Sequence, residues 1–283
     1  MRLLHIQLLT TLLILLFLPQ VMHASDNNQK IPLQYTVVLD LSDRVLIHNQ
    51  IEKDITLIET AFKRFEKKAR LPFILTSKDR FSVKIIPQNG SPLDINYFEN
   101  KLQLNLNEVS IKEKNEKLVQ FSASLRGTLE TLYKSCKYGK KSSDYAGVDI
   151  WRYLNNTGLY LDKKGYDTTV LILTDGYFDF ESRTHVLRAK NKFTSTQFLK
   201  ELKGFDWMIT AKEKDYGLIP ITLGKNVNWI VSSITSKHHN DILQTKKITF
   251  IWEKWLKESG VTDFHFILNS TTRQMNSQLL ELL

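Results

Sequence analysis

The chain has 283 residues, 42% hydrophobic, 24% charged and 11% aromatic, a balance that excludes a disordered tail, a collagen-like fibre and a disulfide scaffold. Its 39 lysines and arginines against 30 acids give a formal charge of +9, moderate for this length and not gathered into a long basic tail, so the charge does not point to nucleic acid. One cysteine, Cys136, leaves no internal disulfide, and stability must come from the hydrophobic core.

Residues 1–24 (MRLLHIQLLTTLLILLFLPQVMHA) carry one positive charge at Arg2, an unbroken apolar run from Leu12 to Leu18, then Pro19 and the small Ala24. This is the pattern of a secretory signal peptide. The run is shorter than the roughly 20 apolar residues of a membrane-spanning helix. The alternative is an uncleaved N-terminal anchor, because Met22 stands where a smaller residue is preferred before a cut. No cysteine follows the run, which argues against a bacterial-type lipid anchor. The expectation is an exported protein, periplasmic or extracellular, with residues 25–30 (SDNNQK) as a linker, 31–283 as a single domain, and no transmembrane span after cleavage.

The apolar, β-branched run Tyr35 to Leu39 reads as a strand buried on both faces and stops at Asp40. Ile51, Ile55, Ile58, Phe62, Phe65 and Ala69 then recur at spacings of four and three, one stripe of an amphipathic helix, with Asn49 and Glu52 in capping positions. Arg80 to Pro87 is a second strand, and Lys101 to Asn107 alternates with period two, as an antiparallel edge strand would. A helix follows through Leu118, Phe121, Leu125, Leu129 and Leu132, with Cys136 at its end as a bland packing residue. Beyond the polar loop 138–147 comes a short helix, DIWRYLNN, then the strongest strand, Thr168 to Gly176. Thr194 to Leu202 is expected as a helix with Thr194 and Gln197 as its capping box and Gly204 past its end. Gly217 to Leu223 and Asn228 to Ile234 read as strands, the first weakened by Pro220. A long helix from Asp241 to Ser259 turns Ile248, Ile251, Trp252, Trp255 and Leu256 to the core, a strand-like DFHFIL follows, and the tail is ambiguous. The alternation implies an α/β fold: a doubly wound, mostly parallel central sheet, flanked by helices on both faces, with an antiparallel edge strand.

Ligands of such sheets bind at the carboxyl ends of the strands. Two strands end there in an acid: Asp40, followed by Leu41, Ser42, Asp43 and Arg44, and Asp175, between Thr174 and Gly176. Two carboxylates with a hydroxyl form a hard oxygen set of the kind Mg²⁺ or Mn²⁺ prefers. In VVLDLSDR and ILTDG the chain resembles the von Willebrand factor A-like (vWA) domains, whose metal-ion-dependent adhesion site reads Asp-x-Ser-x-Ser, then a Thr, then Asp in a T-D-G turn. GVDIWRYL from Gly147 is the best match to the middle motif. The resemblance covers most of residues 31–283 in element order and implies Asp40, Ser42 and Asp175 as metal ligands. It departs at Arg44, where the second Ser would stand, and at Val148, where the Thr would. Asp149, or Ser142 and Ser143, are candidates for the replacement oxygen. The expectation is a degenerate site with metal weak or absent, in which Arg44 pairs with Asp40 or Asp175 in place of the ion.

The function so implied is a non-enzymatic binding module for a protein or envelope component. Its partner-binding residues would be Arg44, Asp43, Gly147, Val148 and Gly176, with an acidic partner side chain meeting Arg44, and Lys137, Lys140 and Lys141 forming a basic patch nearby. The alternatives are a divalent-metal-dependent phosphate-ester hydrolase of haloacid-dehalogenase-like type, which would want a second Asp where Ser42 stands, and a purely structural envelope subunit. His238, His239 and Asp241 resemble a metal cluster only superficially, and Trp252 and Trp255 read as core. The chain has no phosphate loop, no G-x-S-x-G and no H-E-x-x-H.

Overall fold

The structure, a computed structural model, describes residues 30–71, 74–180, 186–237 and 241–283. The leader and linker, apart from Lys30, lie outside the described residues, as do His238 and His239. The central sheet contains β1 (Leu33–Leu39), β2 (Arg80–Ile85), β3 (Gln103–Asn105), β4 (Asp167–Leu173), β8 (Val227–Ile234) and β9 (Phe264–Leu268) in the order β3-β2-β1-β4-β8-β9. All pairings are parallel except β2 with β3, so the short alternating strand is the antiparallel edge expected. The central strands are buried at nearly every position because both faces are covered, each with a run of apolar residues at its centre or end.

One face packs against α1 (Gln50–Ala69), α3 (Lys114–Cys136) and the C-terminal α7 (Thr272–Leu282), with Phe62, Phe65, Phe81 and Phe121 at its centre. The short α2 (Ile95–Lys101) runs into β3, and Phe98 belongs to the same core. The other face is covered by α4 (Ile150–Thr157), α5 (Trp207–Glu213) and α6 (Ile242–Glu258), with Trp229, Trp252 and Trp255 fully buried. The two tryptophans of α6 are core, as their spacing implies. The ambiguous tail is α7, started by a capping box in which Thr271 and Gln274 exchange bonds. Cys136 ends α3, buried, its thiol pushed up to about 12 by burial.

Three expectations need correction. Asn49 precedes α1 in a left-handed conformation (φ 60) and its side chain makes no cap bond, so the expected cap with Glu52 is not formed. The segment after Thr194 is a 3-10 helix, Thr196–Glu201, capped by the Ser195 hydroxyl rather than by Thr194, whose own hydroxyl accepts from the Leu187 amide. The strand expected over 217–223 shrinks to β7 (Gly217–Leu218), which joins β5 (Arg188–Ala189) and β6 (Lys192–Phe193) in a separate small sheet. Pro220 has no amide to continue a ladder. No helix among the described residues is long and apolar enough to cross a membrane.

Candidate functional site

From β1 the chain builds outward to β2 and β3 on one side, and from β4 to β8 and β9 on the other, so the order reverses between β1 and β4. The crevice beyond the carboxyl ends of that pair is where doubly wound sheets hold ligands. Asp40 and Asp175 both stand at it, one residue past β1 and two past β4.

Asp40 is buried and both its oxygens are engaged. Oδ1 accepts from the Ser42 amide at 2.9 Å, and Oδ2 accepts from the Thr174 hydroxyl at 2.8 Å. The Thr174 hydroxyl in turn accepts from the Gly176 amide at 3.0 Å, so the T-D-G turn is tied to the first loop through one side chain. Asp175 accepts from the Tyr177 amide at 3.1 Å. Burial, and then the charge of Asp40, push its carboxyl up to about 7, against smaller opposing effects of that amide, Arg44 and Lys237. A raised carboxyl beside a second one is the signature of a site that wants a proton or a cation between the two.

Arg44 does not take that place. It lies in the 3-10 turn Asp43–Leu46, is 2% exposed, and donates through Nη1 to Asp54 Oδ2 at 2.7 Å and through Nη2 to Asp54 Oδ1 at 3.0 Å. Its remaining contact is to the backbone carbonyl of Asp40 at 3.1 Å, not to the carboxylate. Gln50 and Tyr133 also donate to Asp54, at 2.8 and 2.9 Å. Burial opposes the Arg44 charge, but Asp54 more than compensates, and the guanidinium is held protonated. The expected pairing with Asp40 or Asp175 is therefore replaced by a bidentate pair with α1, and a partner's carboxylate has no route to this guanidinium.

The third loop also reaches this end of the sheet. The turn Ser142–Asp144 packs on the turn Asp43–Leu46, and Gly147 bridges to Phe180 just after the T-D-G turn. Gly147 has φ +73, and a Cβ there would meet the Asp179 carbonyl oxygen at 2.5 Å, so glycine is required for this approach. Asp43 is half-buried beside this turn, and Ser142 and Ser143 are exposed. Val148 is buried in the core and Gly176 is buried with its carbonyl accepting from the Trp252 indole at 2.8 Å, so neither presents itself to a partner. Asp149 caps α4 through the Arg152 amide at 2.9 Å and pairs with the Arg152 guanidinium, which occupies it elsewhere.

Two residues outside the motifs join the site. Asp179 accepts from the Thr196 and Ser195 hydroxyls at 2.8 and 3.1 Å, and Lys237 reaches its other oxygen at 3.3 Å. Lys237 also lies over the Tyr177 ring, 4.5 Å from its centroid. Partial burial works against this ammonium, but Asp179 and Asp175 raise its pKa above the ordinary value. No motif marks Lys237, whereas Asp54 had a signal: with Gln50 it makes a polar i, i+4 pair on the buried stripe of α1.

The carboxylate pair carries the charge for a hard cation, but the rest of a coordination shell does not follow. Asp40 has both oxygens accepting hydrogen bonds, Thr174 spends its hydroxyl on Asp40, and an apolar Val148 stands where the resembled family places a Thr. Among the described residues no three His, Cys, Asp or Glu side chains gather as a metal cluster. These residues fit a divalent ion only in part.

No protein-family model matches the chain, and no curated protein matches it. Among solved structures, it is similar to the pilus adhesin SpaC from Lactobacillus rhamnosus GG in its open conformation, at 10% identity and TM-score 0.46 over 88% of this chain. A second crystal form of that adhesin matches at 11% identity and TM-score 0.45, again over 88% of this chain. The chain spans 29% and 30% of the length of those two structures.

Proposed function

We propose that this chain is an exported, non-enzymatic binding module of the vWA-like kind, whose loops around Asp40, Gly147 and Asp175 hold a protein or envelope component without dependence on a metal. The observation that supports it is the meeting of three loops at the β1/β4 switch point, fastened by Thr174 on Asp40 and by Gly147 against Phe180. With Arg44 closed off by Asp54 and Asp175 buried, an acidic partner side chain would meet Lys237 and the exposed Lys137, Lys140 and Lys141.

Isothermal titration of residues 25–283 with Mg²⁺ and Mn²⁺, alongside Asp175→Ala, tests the metal side of this reading. No saturable heat in either protein is expected. Stoichiometric binding lost in the variant would make it a working adhesion-type metal site instead. Pull-down from envelope extract tests the binding side: Lys237→Glu should lose the partner, and capture unchanged by it would favour a purely structural subunit. Hydrolysis of a chromogenic phosphate ester, abolished by Asp40→Asn, would overturn the non-enzymatic reading.

A further inference from the structure

The two edges of the central sheet differ. β3 offers three residues, whereas β9 offers five and, among the described residues, has a strand partner on one side only. The Trp229 amide donates to the Asp263 carbonyl and the Asn269 amide to the Ile234 carbonyl. In a parallel ladder alternate residues face the partner strand, so His265 and Ile267 spend their backbone groups on β8. Phe264, Phe266 and Leu268 direct theirs outward, a row of unpaired donors and acceptors that templates another strand.

A groove of about 1310 Å³ adjoins the carboxyl end of this edge, lined by Leu268 to Thr272, by one flank of α6 and by the start of α1. Its walls are apolar at the exposed Ile242 and Leu268 and basic at Lys53, Lys246 and the site residue Lys237, itself paired with Asp179. Lys53 donates to the neutral amide oxygen of Asn269 at 2.7 Å, with Asp54 as its nearby acid, and burial lowers its pKa. Of the acids in the lining, Asp241 is occupied by the Gln244 amide at 2.9 Å and Glu253 lies about three turns along α6. The mouth of the groove beside β9 is therefore positive and partly apolar.

We infer that β9 and this groove form a docking surface for an extended, acidic segment of a partner protein, which adds as a strand to β9 with its acids toward Lys53 and Lys246. Main-chain bonds to Phe264, Phe266 and Leu268 supply affinity, and the lysines select the sequence. This surface borders the switch-point loops, with Lys237 lining both, but the open edge of β9 and its pairing with a peptide do not depend on the function proposed for those loops.

The test uses the full chain and a fluorescein-labelled synthetic peptide alternating valine with glutamate, followed by anisotropy. Saturable binding is expected, about tenfold or more tighter than for the valine–lysine counterpart, and weakened by about tenfold in the exposed Lys246→Glu variant. Methylating alternate peptide nitrogens, which removes the donors a strand would offer, should weaken it by about tenfold or more. Bound peptide should also slow hydrogen exchange at the amides of Phe264, Phe266 and Leu268. No binding, binding indifferent to N-methylation or to Lys246→Glu, or protection confined to other segments would overturn the inference. Capture by phosphatidylglycerol vesicles without capture by the peptide would replace the protein partner with a membrane surface.

Discussion

Asp175→Asn keeps an oxygen for the Tyr177 amide and removes only the titrating charge. In the folded chain that carboxyl rises from 3.8 to about 7, by burial first and by Asp40 second. At about 1.4 kcal/mol per pKa unit, the folded chain pays on the order of 4 kcal/mol to ionise it. The folded state binds the proton more tightly than the unfolded state, so this stability is complete below the unfolded value of 3.8 and is lost as the pH rises toward about 7. The other charges felt there, Arg44 and Lys237, stay cationic across that window, which leaves Asp40 as the group that opposes ionisation. The asparagine variant should match the wild type near pH 4 and exceed it near pH 8 by up to about 4 kcal/mol, on the order of 10 °C in melting temperature. Circular-dichroism melts of both proteins across that range are the assay. A variant that melts at or below the wild type near pH 8, or that keeps the wild-type slope, would refute the raised carboxyl assigned to Asp175.

Arg44→Met leaves the Asp54 carboxylate buried with only Gln50 and Tyr133 to satisfy it, and should cost about 3–5 kcal/mol in urea unfolding. Arg44→Met with Asp54→Leu should recover most of that loss. Gly176→Ala puts a Cβ 2.7 Å from the Ile248 side chain at a residue with φ +95, which should lower stability by about 2 kcal/mol or more and disturb the Trp252 indole fluorescence. Cys136, with its thiol pushed up to about 12, should resist iodoacetamide in the native protein near pH 8 and react once guanidinium unfolds it, as mass spectrometry would read.

The parts of this fold legible in the sequence are those where one physical signal acts alone. β1, β4 and β8 are buried on both faces, so runs of apolar and β-branched residues marked them, and the stripes of α1, α3 and α6 marked helices against a sheet. Legibility failed where local pattern and long-range geometry compete. Residues 217–223 carry strand-like residues, but Pro220 and the tryptophans Trp151 and Trp255, whose indoles both donate to the Ile219 carbonyl, stop the ladder after two residues. At the site, the acids ending β1 and β4 were visible because a carboxylate interrupts an apolar run. The partner of Arg44 was not, because a guanidinium ten residues from Asp54 can reach it only after the loop has folded back onto the first turn of α1.

That fold-back decides what kind of site this is. Arg44 clamps the first loop to α1 through Asp54 and to the end of β1 through the Asp40 carbonyl. Thr174 fastens the second loop to Asp40, and Gly147 fastens the third to Phe180. Loops held in this way by the protein's own groups are preorganised, so under the proposed function a partner would meet little ordering cost on binding. On the proposed reading, the arginine that stands in place of an expected ligand is also the residue that would hold the loop without a metal. A prediction follows from this division of labour: Arg44→Met, with Asp54→Leu to restore stability, should loosen the first loop and speed amide exchange at Ser42 and Val45, while chelators leave the same amides of the wild type unchanged. Equal exchange in variant and wild type would mean that the bond from Ser42 to Asp40 holds the loop alone.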